Sequence, residues 1–438
     1  MPRATVWPVH PEGSGADPIP AAEAALDRIC VPGPLGIAVS GGSDSTALLL
    51  IAADWAKGRP LHAVTVDHGL RPESGAEAAG VGRLAARIGI PHTVLHWLDA
   101  SPGGNLQARA REARHRLIGT WARDLGLSSV LLGHTLDDQA ETVVLRMLRG
   151  SGLDGLAGMS ERSRISGTLW LRPFLGLSRE ALRTELRRRG VGWSEDPSNM
   201  DPRFDRVRAR QALQGLGALG LTAERLAETA TRLAADRAVI GELVDMLAGK
   251  ARRFGAFGEA WLRTDILVGA PEPIRMRLMA ETLRVIGGAA YPTRWDALHA
   301  LCTKALTPGF GGATLCGCQI APADDGLLIH RELAAQEGPV TAKPGTLWDN
   351  RWQLQGTVPD GCEVRRLGSE GTRILRTAGV SAAPPAAILR TLPALWRGQD
   401  LLSVPSVDYA TDGVLIGFRD CALCDIRGCD SVDSNARA

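Results

Sequence analysis

No apolar run in this chain is long enough to cross a bilayer, so no membrane span is expected. The stretch from Met1 to Pro20 lacks the basic start and apolar core of a secretory leader. Cysteine is sparse, with 8 in 438 residues, which is far from the density of a disulfide scaffold. Cys421-x-x-Cys424 with Cys429, and Cys316-x-Cys318, lack the second pair or His pair that would complete a metal set. Net charge is also low, at +2. That argues against wholesale electrostatic binding of nucleic acid and leaves local basic strips open. Lysine is nearly absent: all but four of the 50 basic residues are arginine, the better residue for forked contacts to phosphate. Apolar residues at 45% and charged residues at 22% are ordinary for a globular chain. The length allows two or three domains, each with its own core. These features predict a cytoplasmic protein.

What the chain does contain is organised around Ser40-Gly-Gly-Ser-Asp-Ser45. The apolar run Gly36–Val39 before it reads as a buried strand, and Thr46–Ile51 after it as the first turns of a helix. Glycines at such a junction let the backbone approach a ligand where a Cβ would clash. The N–H groups at the start of the helix have no intrahelical partners, and with the helix dipole they favour an anion, phosphate above all. The serines add hydroxyl donors, and Asp44 can orient an amide or help hold a divalent cation. A glycine turn with a serine cap explains Gly-Gly alone, but not the whole string in its strand–loop–helix setting. It is not the longer Walker loop, because no Gly-Lys-Ser/Thr follows at the required spacing.

Strands and helices alternate from Gly36 to about Leu175, which predicts a doubly wound parallel α/β sheet. We expect a flexible extension over 1–25, a catalytic domain over 26–212 and a mostly helical domain over 213–333. A small α+β module should follow over 346–438. Further candidates sit where the loops at the carboxyl ends of the strands should be, the ligand edge of such a sheet. His68 and Arg71 follow the second strand, and Arg111 and Arg114 lie on a helix that follows Gly103-Gly104. Gly133-His-Thr-Leu-Asp-Asp-Gln-Ala-Glu-Thr142 leaves the fourth strand and opens a helix. Its paired carboxylates, Asp137 and Asp138, suit either helix caps or a Mg²⁺ shared with phosphates. Two arginines, Arg146 and Arg149, before the glycine-rich stretch Ser151–Gly158 suit an RNA backbone.

Ser40–Ser45 resembles the signature of the PP-loop ATP pyrophosphatases. With Asp67–Arg71, Asn105–Arg114, Gly133–Thr142, Leu148–Leu153, Glu195–Asn199, Arg206 and Arg210, the chain resembles the tRNA(Ile)-lysidine synthetase family. It departs from the family pattern at Val207, where an asparagine is usual, and at His115, where an aromatic is frequent.

The resemblance implies ATP and Mg²⁺ as cofactors, with free L-lysine and a tRNA(Ile) bearing the anticodon CAU as substrates. The wobble cytidine is adenylated at O2, pyrophosphate leaves, and the lysine ε-amine then displaces AMP. Ser40, Gly41, Gly42, Ser43, Asp44 and Ser45 would hold the pyrophosphate end of ATP. Asp137 would hold Mg²⁺, with Asp138 second, and Arg206 and Arg210 would act near the α-phosphate or the flipped base. His68, Arg71, Arg111, Arg114 and His134 would contact substrate or phosphate, and Glu141 and Glu195 are rival carboxylates for the lysine α-amine. No membrane or protein partner is implied, and a homodimer is left open. The alternatives are base thiolation, which in relatives uses Cys-x-x-Cys pairs absent from this core, and an RNA-binding relative that has lost catalysis.

Overall fold

A computed structural model describes residues 17–69, 74–97, 106–165, 167–195, 203, 205–289, 293–380, 384–411, 414 and 416–421. Arg71, Cys424 and Cys429 lie outside them. The chain divides into two compact units, one ending at Val239 and the other beginning at Ile240.

The first unit opens with α1 (Ile19–Ile29), which starts inside the stretch expected to be an extension because Ala22, Leu26 and Ile29 have a core to bury against. Then β1 (Leu35–Ala38), α2 (Ser43–Ala56), β2 (Leu61–Asp67), α3 (Ser74–Arg87), β3 (His92–His96), α4 (Leu106–Asp124) and β4 (Ser129–Leu132) alternate. They are followed by α5 (Leu136–Met147), α6 (Leu153–Leu156), β5 (Arg162–Ile165), β6 (Thr168–Leu171), α7 (Arg179–Arg188), α8 (Asp205–Gly217) and α9 (Ala223–Ala251), whose last turns belong to the second unit. The sheet order is β3-β2-β1-β4-β6-β5. Its pairings are parallel except β5 with β6, a hairpin the sequence reading did not anticipate. The strand order reverses at β1, between β2 and β4, and this switch point is where the Ser40–Ser45 loop emerges.

Helix α2 is buried at every position from Thr46 to Ala52. A helix apolar all round belongs in the interior, and each fully buried leucine there contributes about 1.5–3 kcal/mol. That burial fixes the loop before α2 to a rigid base.

In the second unit, β7 (Arg252–Phe254), β8 (Ala260–Arg263), α10 (Thr264–Gly269), α11 (Glu272–Gly287), α12 (Trp295–Ala305), β9 (Ala313–Leu315), β10 (Cys318–Ala323) and β11 (Gly326–Arg331) follow one another. The helices are accompanied by a five-stranded sheet, β7-β8-β11-β10-β9, in a stretch expected to be mostly helical. Cys318, Ile320, Leu327 and Ile329 alternate into its core, and Asp324-Asp325 joins Ala323 to Gly326 in a tight hairpin. That alternation and turn are strand signals the helical reading overlooked. Two small antiparallel sheets complete the unit over 340–420. Arg351 joins them to the first part. It is almost fully buried, and it bonds Asp420, the Ile286 carbonyl (3.2 Å) and the Gly258 carbonyl (2.5 Å). Arg331 does the same with a fork to Asp349.

Candidate active site

The site is a cleft of about 1030 Å³ in the first unit, at the carboxyl ends of β1 and β4. The Ser40–Ser45 loop forms one wall. Gly41 has a φ of +89°, a conformation natural to glycine, and Gly42 caps α2 with extended backbone. Ser45 works within the loop: its Oγ accepts from the Ser40 N–H and donates to the Gly42 carbonyl, each at 3.1 Å. Ser43 Oγ donates to Asp44 at 2.8 Å. Gly133, at the end of β4, lets the second motif reach the first. A Cβ there would lie 2.9 Å from the Asp44 carbonyl oxygen and 3.0 Å from the Ser45 nitrogen.

Helix α5 begins with a reciprocal cap. Asp138 Oδ2 accepts from Thr135 N at 2.8 Å, and the Asp138 N–H returns to Thr135 Oγ1. This leaves Asp138 Oδ1 facing the cleft. Asp137 is placed differently. Its Oδ2 accepts from the Arg179 backbone N–H at 2.7 Å, so it caps α7, and it is not among the residues lining the cleft. The preference for Asp137 over Asp138 read from the sequence is therefore corrected: the cleft-facing carboxylate is Asp138. Adjacent side chains on a helix point about 100° apart, so only one can face the loop.

Arg179 is the centre of the site, and the sequence reading missed it. Its guanidinium meets Asp44 Oδ2 at 2.9 Å, Asp138 Oδ1 at 3.2 Å and Glu141 Oε1 at 3.7 Å. Burial works against its charge, but Asp138 and Asp44 outweigh burial and push its pKa up. Burial raises the pKa of Asp44, against the pull of Arg179. Burial also raises Glu141, and Asp138 beside it adds to the rise. Asp138 is held below the ordinary range, because Arg179 and its neighbours overcome burial.

Helix α8 closes the cleft. Arg206 sits 3.6 Å from Asp138. Arg210 forks onto Glu141 Oε1 at 2.9 and 2.7 Å. Glu141 Oε2 is buried with no hydrogen-bond partner. Glu195 is 70% exposed and pairs with Arg183 at 3.4 Å, so the two rival carboxylates differ sharply. Val207, in place of the usual asparagine, is buried in the cleft wall. Arg111, Arg114 and His134 also line the cleft. His68 does not; it supports Arg114 from behind at 3.0 Å, and its ring meets Trp97 edge-on. Burial lowers His68 to about 4 and His134 to about 3, so both are neutral near neutral pH. His115 packs on Trp170 with ring centroids 4.9 Å apart.

Hard carboxylate oxygens opposite a phosphate loop fit a Mg²⁺ that completes its shell with substrate oxygens. They do not make a protein-only cage: among the described residues no group of three or more His, Cys, Asp or Glu could hold a metal. No cysteine is among the residues lining the cleft.

Residues 25–215 match the model of the PP-loop domain. The chain is 40% identical over 385 residues to tRNA(Ile)-lysidine synthase of Ruegeria pomeroyi, covering 86% of this chain and 90% of that one. It is 41% identical over 337 residues to the enzyme of the same name from Hyphomonas neptunium, covering 74% and 87%. The match to that of Mesorhizobium japonicum is 37% identical over 386 residues, covering 84% and 83%.

Proposed function

We infer the working of the cleft from the premise that the chain belongs to the tRNA(Ile)-lysidine synthase family. It is an ATP-dependent ligase that forms lysidine on tRNA(Ile). We propose that the acceptor is the wobble cytidine of a CAU anticodon and the donor free L-lysine. In the first step the cytidine O2 attacks the α-phosphorus, an O–P bond forms, and the bond to pyrophosphate breaks. In the second the lysine ε-amine bonds C2, loses a proton, and the C2–O bond breaks to release AMP. A carbonyl oxygen is a poor leaving group and AMP a good one, which is why activation must come first.

The convergence of Asp44, Asp138 and Glu141 on Arg179, opposite the phosphate loop, is the observation that carries this reading. Ser40–Ser45 and the first N–H groups of α2 would receive the pyrophosphate end of ATP. Asp44 and Asp138 would hold Mg²⁺, with Asp137 fixing α7 behind them. The bound cation would neutralise phosphate charge. Arg206, beside Asp138, would meet charge developing on the α-phosphate. Both Glu141 and Glu195 line the cleft, and Glu141 is favoured for the lysine α-amine because its Oε2 is buried and unpartnered whereas Glu195 is mostly exposed. The cytidine must leave the anticodon stack to reach these groups.

The test is incorporation of radiolabelled lysine into total tRNA with ATP and Mg²⁺. Label confined to tRNA(Ile) with anticodon CAU is the expected result. Pyrophosphate release without lysine incorporation would refute the choice of nucleophile.

A further inference from the structure

Beside the cleft, the end of α5 and one face of α8 leave a second hollow of about 400 Å³. Leu145, Leu148, Ala209 and Ala212 give it an apolar lining, and Arg149 and Arg208 stand at its rim. It is continuous with the active site, since Leu145, Arg149 and Asp205 line both spaces. One helix serves the two: α8 presents Arg206, Val207 and Arg210 to the cleft, and Arg208, Ala209 and Ala212 to the hollow.

Two features of the hollow point to a ligand. Leu148 is 77% exposed and Met147 before it 56% exposed, an apolar ledge next to charged groups. The two arginines also share a single acid. Arg149 reaches Asp205 at 3.2 Å, and Arg208 bonds its other oxygen. The rim therefore keeps a net positive charge. Arg146, one turn back, is already used: it ties down the Gly155 and Gly158 carbonyls at 2.7 and 2.9 Å.

An apolar floor under a cationic rim suits a nucleotide, whose flat base is buried while its phosphate meets guanidinium. It suits free lysine badly, because two guanidiniums repel an ammonium group. We propose that this hollow seats the nucleotide of the tRNA strand next to the reacting cytidine. Its base lies against Leu145, Leu148 and Ala212, and its phosphate lies at Arg149 and Arg208. The inference rests on the lysidine-forming reading and adds to it a subsite that holds the strand while the cytidine is turned into the cleft.

Ala212→Phe fills the hollow and Arg208→Glu reverses its rim. Both positions are exposed and neither lines the cleft, so ATP-dependent chemistry should be spared. The KM values for tRNA(Ile), lysine and ATP are measured for both variants beside the wild type. Fluorescence of 2-aminopurine placed next to the wobble cytidine is followed on binding. The expected result is a tRNA KM raised about 5- to 50-fold, with the lysine and ATP values within about twofold. The 2-aminopurine response should also be lost in Ala212→Phe. An unchanged tRNA KM in both variants overturns the proposal, as does a rise confined to the lysine KM, which would make the hollow an amino-acid site. A wild-type protein that attaches no lysine to tRNA overturns the reading of the activity itself, and is recognised because variants and parent then fail alike.

Discussion

Replacing Arg179 with methionine should destabilise the PP-loop unit by about 3 kcal/mol, the low end of the range for removing one partner of a buried ion pair. The low end applies because two of the three acids keep other partners. Asp138 retains Thr135 and Arg206, and Glu141 retains the Arg210 fork. Asp44 retains its bond from Ser43 but loses the guanidinium at 2.9 Å. The defect should also depend on pH in a defined direction. Asp44 and Glu141 sit above the ordinary carboxylate range in the folded protein, and loss of Arg179 pushes them further. A folded state with raised carboxyl pKa values binds protons before the unfolded state does, so its stability rises as pH falls through those values. The gap between variant and wild type should therefore narrow as pH falls from neutrality towards the ordinary carboxylate range. Urea unfolding, read by hydrogen exchange on peptides from 43–56 and 136–147, isolates this unit from the rest of the chain. A deficit below about 1 kcal/mol, the scale of an exposed pair, would refute the reasoning, and so would a gap that widens with acid.

Arg206→Ala should slow single-turnover adenylation by about 100-fold, the scale of losing one charge-stabilising donor, while ATP binding stays largely intact; a normal rate would remove Arg206 from that role. The imidazole resonances of His68, His115 and His134 should not titrate across the usual histidine range, because burial holds them down at about 4, 4 and 3. Since the unfolded chain takes up these protons first, the contribution of these three histidines to stability should fall as pH drops from about 6.5 towards those values, opposite to that of Asp44 and Glu141; resonances that titrate near 6.5 would contradict it. In the second unit, Arg351→Met removes the guanidinium from the Asp420 carboxylate and from the carbonyls of Ile286 and Gly258. It should lower stability there by about 3–5 kcal/mol, read as a fall in the urea midpoint of peptides from 272–287 and 352–356; an unchanged midpoint would show that the network is not structural.

The sequence alone determined the Ser40–Ser45 loop, the alternation that builds the parallel sheet, and the second motif at Gly133–Thr142. These were legible because each is local: glycines at a strand-to-helix junction, apolar runs of strand length and acids at a helix start are written in neighbouring residues. The sheet β7-β8-β11-β10-β9 of the second unit was also written locally, in the alternation around Asp324-Asp325, but lay among stronger helical signals. What only the tertiary structure decided is which side chains meet. Nothing in the residues beside Arg179 marks it, yet it joins acids 135, 41 and 38 positions away in the chain. Asp137 and Asp138 are equivalent as text, and only the approach of the first turn of α7 to the start of α5 gives one the cap and the other the cleft. Glu141 and Glu195 are separated in the same way, by burial and by the arginines that reach them. Spacing along a helix fixes a direction, but charge finds its partner across the fold, and that distance is set by the core beneath it.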